Sequence, residues 1–185
     1  NDAAALKQAD IGIAMGCTGT DVAKQTADMI LTDDNFATIV KTVEQGRVIY
    51  ANILHFVHYL LSCNLAELLT VFLSLMFGWP LPLLPLQILW LNMITDVLPA
   101  LALALEPSAP NVMSREPREP DAAVLSPSLM LIIGWQGLLL ALATLVAFYI
   151  GLQRHVGTEH AVTMAFVTLG LVQALHAFNT RSQHR

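Results

Sequence analysis

The sequence is short of charge. Only 12% of its 185 residues are Asp, Glu, Lys or Arg, whereas soluble domains carry about 25%. Apolar residues make up 55% of the chain, and the mean hydropathy is +0.60. No basic stripe suggests nucleic acid as a partner. The composition therefore argues against an ordinary soluble domain and predicts a protein whose main partner is the lipid bilayer.

Cysteine is scarce as well. Cys17 and Cys63 lie in a polar and an apolar stretch without metal-ligand spacing, so both are predicted to be free thiols. The first forty residues lack the basic start and apolar core of a signal peptide. Because the chain starts with Asn in what reads as the middle of a motif, we interpret it as a fragment.

Two long apolar runs, 59–78 and 83–105, carry polar residues at their centres. These are Asn64 and Glu67 in the first run and Asn92, Thr95 and Asp96 in the second. Spacings of three and four residues place each group on one face of a helix. A carboxylate near the bilayer centre costs roughly 2.5–3.5 kcal/mol on insertion scales, so it is retained where it faces a bundle interior.

The donor set of these residues consists of oxygen ligands suited to a hard cation. Neither run contains Lys or Arg, so a bound cation or a proton is the natural counter-charge for Glu67 and Asp96. The alternative is a purely structural role, since polar residues in membrane helices also hydrogen-bond neighbouring helices. The pattern predicts a cation site between two membrane helices.

Residues 1–46 have the pattern of a soluble α/β segment that is too short to fold as a complete domain. The predicted elements are a helix over 2–9, a strand over 11–15, a helix over 20–27, a strand over 29–31 and a helix over 36–45. Gly46 is predicted to stop the last helix.

Residues 47–185 are predicted to form a transmembrane domain. It comprises a stalk over 47–58 and four spans over about 59–78, 83–105, 128–152 and 161–179. With the soluble part in the cytoplasm, every Lys and Arg except Arg154 falls on the cytoplasmic side, as the positive-inside rule requires. Both ends are then cytoplasmic. Arg47–Gly78 has no internal Pro or Gly and reads as one long helix.

Two further residues bear on the site. Pro99 cannot donate to the carbonyl of Thr95, so a freed carbonyl is expected beside the ligands, as in the broken helices of transporters. A simple packing kink is the alternative. Gln173 is polar and deep enough in the fourth span to join the site, or to serve only as a helix-to-helix hydrogen-bond partner.

The sequence resembles the P-type ATPases, in particular their calcium-pump-like branch. The matching motifs are Asn1-Asp2-Ala3-Ala4-Ala5-Leu6, Ala9-Asp10-Ile11-Gly12-Ile13-Ala14-Met15-Gly16, Thr18-Gly19-Thr20-Asp21, Asp33-Asp34-Asn35-Phe36, Asn64-Leu65-Ala66-Glu67 and Leu91-Asn92-Met93-Ile94-Thr95-Asp96. The resemblance implies an α-helical membrane bundle of four transmembrane helices, preceded by a partial α/β segment of the haloacid-dehalogenase type. That segment, 1–46, would be the C-terminal end of the cytoplasmic phosphorylation domain.

The resemblance also implies roles for individual residues. Asp2 would hold the catalytic Mg²⁺, and Asn1 would contact the phosphorylated aspartate. The ligands of the transported cation, most simply Ca²⁺, would be Asn64, Glu67, Asn92, Thr95, Asp96 and Gln173. Two departures stand out: Ala4 replaces a usual Pro, and Gln173 replaces a Glu, which bears on the ion and its stoichiometry.

Some parts of such a pump are missing from the sequence. It contains no Asp-Lys-Thr-Gly-Thr, so the phosphorylated nucleophile is absent, as is the domain that binds ATP. The chain alone is expected to be inactive, and it would work with the missing N-terminal domains of the same pump. We expect a portion of an ATP-driven divalent-cation translocase in the plasma membrane of a prokaryote. The alternative is a non-enzymatic cation-binding or regulatory membrane module.

Overall fold

A computed structural model of the chain describes residues 2–107, 111–118, 123–154 and 157–182. The first elements in chain order are α1 (Ala3–Gln8), β1 (Ile13–Met15), α2 (Asp21–Thr26) and β2 (Met29–Leu31). The helical part comprises α3 (Phe36–Met76), α4 (Pro85–Trp90), a π-helical segment (Leu91–Asp96), α5 (Val97–Ala104), a 3₁₀ turn (Val112–Ser114), α6 (Pro127–Gln153) and α7 (Thr158–Ser182).

The segment before α3 contains a small parallel β-α-β unit. β1 and β2 pair in parallel, with Ile13 opposite Met29 and Met15 opposite Leu31. α2 lies between them in sequence, and the Thr20 hydroxyl caps it by accepting from the Ala23 backbone N–H at 3.3 Å. The described residues contain this two-stranded sheet and no wider one.

Asp34 joins the loops that follow the two strands. Its carboxylate accepts from the backbone N–H groups of Cys17 and Thr18 at 2.8 and 2.7 Å, and from the Thr18 hydroxyl at 2.7 Å. These hydrogen bonds, that from Cys17 foremost, hold the pKa of Asp34 below its usual value. Its φ of 49° lies in the left-handed region, which Asp tolerates better than most residues. The chain is thereby fixed just before α3, whose first turn is capped by Asn35.

α3 is a single helix of 41 residues. The prediction that Gly46 stops a helix is wrong, because α3 continues through it. A glycine inside a helix costs only about 1 kcal/mol relative to Ala, and no proline follows it in α3. At 1.5 Å per residue α3 is roughly 60 Å long, about twice the thickness of a bilayer core.

The prediction of a helical membrane bundle is confirmed in the described residues. Four helical stretches are long and apolar enough to cross a membrane: Phe36–Met76, Pro85–Ala104, Pro127–Gln153 and Thr158–Arg181. α3 packs mainly against α6, and α6 packs against α7. The π-helical segment and α5 contact both α3 and α7, so polar residues of these three elements can meet in the interior.

The segment that follows α5 is bound to α3. The Asn52 side-chain amide donates to the backbone carbonyls of Ala104 and Glu106 at 3.1 and 2.8 Å. The Arg47 guanidinium donates to the carbonyls of Val112 and Arg115 at 3.1 and 2.7 Å. The Asn52 contacts satisfy carbonyls at and just after the end of α5 and hold α5 against α3, whereas the Arg47 contacts hold the 3₁₀ turn against α3.

α6 and α7 approach closely at one glycine. A Cβ at Gly151 would lie 2.6 Å from the Ala161 Cα, a distance at which the backbone must move. The contact is of the small-residue type that allows membrane helices to pack closely.

We expect Gly151→Ala to destabilise the α6–α7 pair, because overpacking of this kind costs about 1–3 kcal/mol. Gly134→Ala is the matched control: it lies in the same helix, and a Cβ there meets nothing within 4 Å. Thermal unfolding of the detergent-solubilised protein measures both. The packing argument is wrong if Gly151→Ala is as stable as Gly134→Ala.

Candidate cation site

The Glu67 carboxylate is held by two side-chain amides from other parts of the bundle. Asn92 of the π-helical segment donates to its Oε2 at 2.8 Å, and Gln173 of α7 donates to its Oε1 at 3.0 Å. Glu67 is 5% exposed and Gln173 is fully buried. Three elements therefore converge on one buried carboxylate, and each of its oxygens accepts a hydrogen bond.

The Asp96 carboxylate has no such partners. It is 2% exposed, and neither of its oxygens has a hydrogen-bond partner among the described residues. The buried Gln173 Oε1 likewise has no hydrogen-bond partner among the described residues. A buried polar group without a partner costs about 1–3 kcal/mol, and more when it is charged, so such groups point to a ligand or a reactive role. The unsatisfied oxygens belong to two of the predicted ligands.

The helix that carries Asp96 is π-helical over Leu91–Asp96. π-helical turns within α-helices are rare and are frequently found at functional sites. Here the turn lies just before Pro99, whose missing N–H leaves an acceptor in the preceding turn unused. The structure does not break the helix at this point, because α4, the π-helical segment and α5 follow one another without interruption.

The Thr95 carbonyl that Pro99 cannot bond is not left exposed. The Tyr59 hydroxyl of α3 donates to it at 2.9 Å, and Tyr59 is fully buried. The Thr95 hydroxyl donates to the Leu91 carbonyl at 2.6 Å and is likewise engaged. The carbonyl that Pro99 leaves without a helical donor therefore accepts from tyrosine, and its place among the ion ligands stays a prediction.

The predicted ligands are not all brought together. Glu67, Asn92 and Gln173 share hydrogen bonds, and Asp96 is buried one turn along from Asn92. Asn64, in contrast, is exposed, and its amide donates to the Leu60 carbonyl at 2.9 Å. It lies on a side of α3 that the other described helices leave uncovered.

Two buried residues of α3 were missed by the sequence reasoning as members of this region. Tyr59, Cys63 and Glu67 recur at intervals of four and lie on one buried face. A search at that spacing from Glu67 would have found both. Cys63 is a free thiol, as predicted.

A second polar group adjoins the site along α3. The His58 Nε2 lies 2.5 Å from the Gln136 Oε1 of α6. The His176 ring of α7 stacks on Tyr59 at 6.0 Å and meets His58 edge-on at 5.9 Å. All three aromatic rings are buried. Tyr59 therefore connects this histidine pair to the Thr95 carbonyl.

The side chains present are suited to oxygen coordination. The described residues contain no group of three or more His, Cys, Asp and Glu that could hold a metal ion. The charge comes from Glu67 and Asp96, and the amides of Asn92 and Gln173 can offer either N–H or oxygen. Such a set is typical of sites for hard cations. A cation at Glu67 has to replace the two amide donors, after which rotation of each amide presents its oxygen.

The predicted magnesium ligand Asp2 lies away from this site. Asn1 is outside the described residues. Asp2 is exposed just before α1 and borders a cleft of about 370 Å³ whose other lining residues include Leu6, Ile11, Phe36 and Ile39. It therefore belongs to the segment before α3 and not to the cation site.

Known proteins resemble the chain along almost its entire length. Residues 80–185 match the family model described as cation transporting ATPase, C-terminus. The chain is 48% identical to calcium-transporting ATPase 1 of Bacillus cereus, covering 99% of this chain and 22% of that protein. It is 46% identical to calcium-transporting ATPase of Bacillus subtilis, covering 99% and 21%.

The similarity extends to eukaryotes. The human calcium-transporting ATPase type 2C member 1 is 42% identical over 99% of this chain and 20% of its own length. The chain thus spans about a fifth of the length of the curated relatives it matches. With four membrane helices that enclose a buried pair of carboxylates, and with similarity that also covers the segment before α3, the chain belongs to the cation-transporting ATPase family and corresponds to the C-terminal region of its members.

Proposed function

We propose that this chain is the part of an ATP-driven calcium pump that carries the intramembrane cation site. The observation that carries the proposal is the buried pair Glu67 and Asp96, one held by amides alone and the other without a hydrogen-bond partner among the described residues. The relatives reported above are named as calcium-transporting ATPases. Their names do not favour a non-enzymatic binding or regulatory module, which was the alternative.

In this proposal the two carboxylates supply charge and the neutral groups supply geometry. Glu67 and Asp96 together offset the charge of one divalent ion. Asn92 and Gln173 contribute amide oxygens after they turn, and Thr95 and Asn64 complete the set of predicted ligands. Asn64 lies on a face of α3 that the described helices leave open, so we propose that a further helix of the same pump covers it.

The energy source lies outside the membrane bundle. We propose that ATP is bound by the N-terminal part of the same pump, and that the segment 1–46 completes its phosphorylation domain. We also propose that both ends of the chain are cytoplasmic and that the membrane is the plasma membrane of a prokaryote. The positive-inside distribution of Lys and Arg supports this orientation.

Asp2 is exposed, and a carboxylate is the type of ligand that Mg²⁺ takes. We propose that it would hold Mg²⁺ with Asn1 beside it; a bound Mg²⁺ supplies charge neutralisation during phosphoryl transfer. We expect Asp2→Ala in the full-length pump to reduce phosphoenzyme formation at least tenfold while cation binding is retained. Asp10→Ala, which removes another exposed acid of the same segment, is the control. Equal phosphoenzyme levels in both variants would exclude the role of Asp2.

The cation site is tested with Asp96→Asn in the full-length pump. This change removes one of the two buried charges with little change in volume, so we expect Ca²⁺-dependent phosphorylation by ATP to be lost. Phosphorylation by inorganic phosphate should persist, because it does not require the ion. Both reactions are measured with radioactive phosphate.

Glu159→Gln is the matched control for that experiment. It makes the same type of change at an exposed acid in the first turn of α7, and we expect it to behave as the unmodified pump. Unchanged apparent Ca²⁺ affinity in Asp96→Asn would disprove the proposed site.

The number of Ca²⁺ ions moved per ATP depends on Gln173. This residue lends an amide but no charge, and its N–H group already faces Glu67. Two carboxylates offset one divalent ion, so we expect one Ca²⁺ to be moved per ATP. Equilibrium binding of radioactive calcium without ATP should give one ion per phosphorylation site, and Gln173→Glu tests whether an added carboxylate raises that number. Two high-affinity ions bound to the unmodified pump would contradict the single-site prediction.

A further inference from the structure

Hydrogen bonds between α3 and the helix that follows it fix which residues face each other. Asn52 bonds the Ala104 carbonyl, Tyr59 bonds the Thr95 carbonyl, and Glu67 accepts from Asn92. The residue numbers rise along α3 and fall along the partner, as expected for antiparallel helices. Cys63 lies midway between Tyr59 and Glu67 on the same face, so this register places it opposite the turn that contains Asp96.

Burial and charge support that placement. Cys63 is fully buried and Asp96 is 2% exposed, and Asp96 lies close enough to act electrostatically on the thiol. The Cys63 thiol is a weak hydrogen-bond donor and does not satisfy the Asp96 oxygens, neither of which has a hydrogen-bond partner among the described residues. A sulfur ligand and an unsatisfied carboxylate thus face the same small volume within the membrane.

We propose that Cys63 and Asp96 form a mixed sulfur–oxygen site for thiophilic divalent cations, of which Cd²⁺ and Zn²⁺ are examples. The inference rests on the proposed function in that Asp96 is also assigned to Ca²⁺, so the two kinds of cation compete. Thiolate ligands select soft and borderline metals, whereas carboxylate and carbonyl oxygens suit Ca²⁺. Cys63 therefore allows thiophilic cations to bind at this site in competition with Ca²⁺.

Binding of a thiophilic cation releases the thiol proton and leaves the charges at the site balanced. The Cys63 thiol transfers its proton to water as the sulfur–metal bond forms, because the thiolate is the metal ligand. One thiolate and the Asp96 carboxylate then carry two negative charges against the two positive charges of the metal. Ca²⁺ leaves the thiol protonated, because a hard cation gains little from sulfur.

The experiment uses the purified full-length pump without ATP. Cd²⁺ is titrated while the ultraviolet absorption of thiolate-to-cadmium charge transfer is recorded, and displacement of radioactive Ca²⁺ is measured in parallel. We expect a saturable band that excess Ca²⁺ removes. Cys63→Ser should abolish this component and should weaken Cd²⁺ at least about tenfold more than it weakens Ca²⁺.

Cys17→Ser is the matched control, since Cys17 is an exposed thiol outside the membrane spans that donates to the Thr32 carbonyl. It should leave the Ca²⁺-sensitive band unchanged. Should Cys63→Ser bind neither metal, Cys63→Ala replaces it and the same selectivity ratio is measured. A Ca²⁺-sensitive band that survives both Cys63 variants, or a ratio unchanged in them, would overturn the inference.

The outcome also separates the two proposals. A Cys63-dependent cadmium band in a pump that binds no Ca²⁺ would support the mixed site and contradict the calcium assignment. Ca²⁺ binding that Asp96→Asn removes, together with Cd²⁺ binding indifferent to Cys63, would support the calcium site and contradict this inference. Where the unmodified pump does bind Ca²⁺, a band that excess Ca²⁺ fails to reduce would also contradict it.

Discussion

The membrane part of this protein is organised around one buried carboxylate. Glu67 accepts hydrogen bonds from Asn92 and Gln173, so α3, the π-helical segment and α7 meet at a single group. Burying a carboxylate is costly unless it is hydrogen-bonded or paired, and the described residues satisfy it with neutral donors. The arrangement keeps the position of the charge defined without a fixed cation of the protein, which is what the proposed exchange of the amides for a mobile cation requires.

The backbone beside this carboxylate is also satisfied by a side chain from another helix. Pro99 removes one donor from the helix, and Tyr59 supplies a replacement from α3 by donating to the Thr95 carbonyl. The π-helical turn over Leu91–Asp96 changes the angular offset between residues of that helix. Asp96 is buried while Asn92 and Thr95 are half-buried. Local irregularity in this helix is therefore compensated by contacts from another helix.

The helical period was sufficient to predict much of the site but not all of it. Glu67, Asn92 and Asp96 follow from polar residues in apolar runs. Asn64 shows that a spacing of three residues does not guarantee a shared face. Three residues along a helix correspond to a rotation of about 300°, which leaves roughly 60° between Asn64 and Glu67. That offset is enough to place Asn64 on an exposed side. The Tyr59 contact could not be predicted, because it depends on the register between two helices.

In the segment before α3 and at the start of α3, some sequence predictions were confirmed and one was wrong. The strand over 29–31 and the start of the helix at Phe36 were predicted from the sequence, and the structure has both. The end of that helix was misplaced at Gly46, because a single glycine is a weak stop when a long apolar helix continues beyond it. Local signals determine where a helix begins more firmly than where it ends, since an N-cap such as Asn35 makes a specific hydrogen bond.

α3 connects the two parts of the molecule physically. It begins at Phe36, two residues after Asp34, which holds the loops after both strands, and reaches Glu67 about 47 Å further along at 1.5 Å per residue. Asn52 and Glu67 attach the helix containing Asp96 to α3 at two levels, and Arg181 of α7 pairs with Glu106 at 2.6 Å. Sliding of α3 along this partner would break hydrogen bonds at both levels. A displacement at the N-terminal end of α3 is therefore transmitted to Glu67 and Asp96 together.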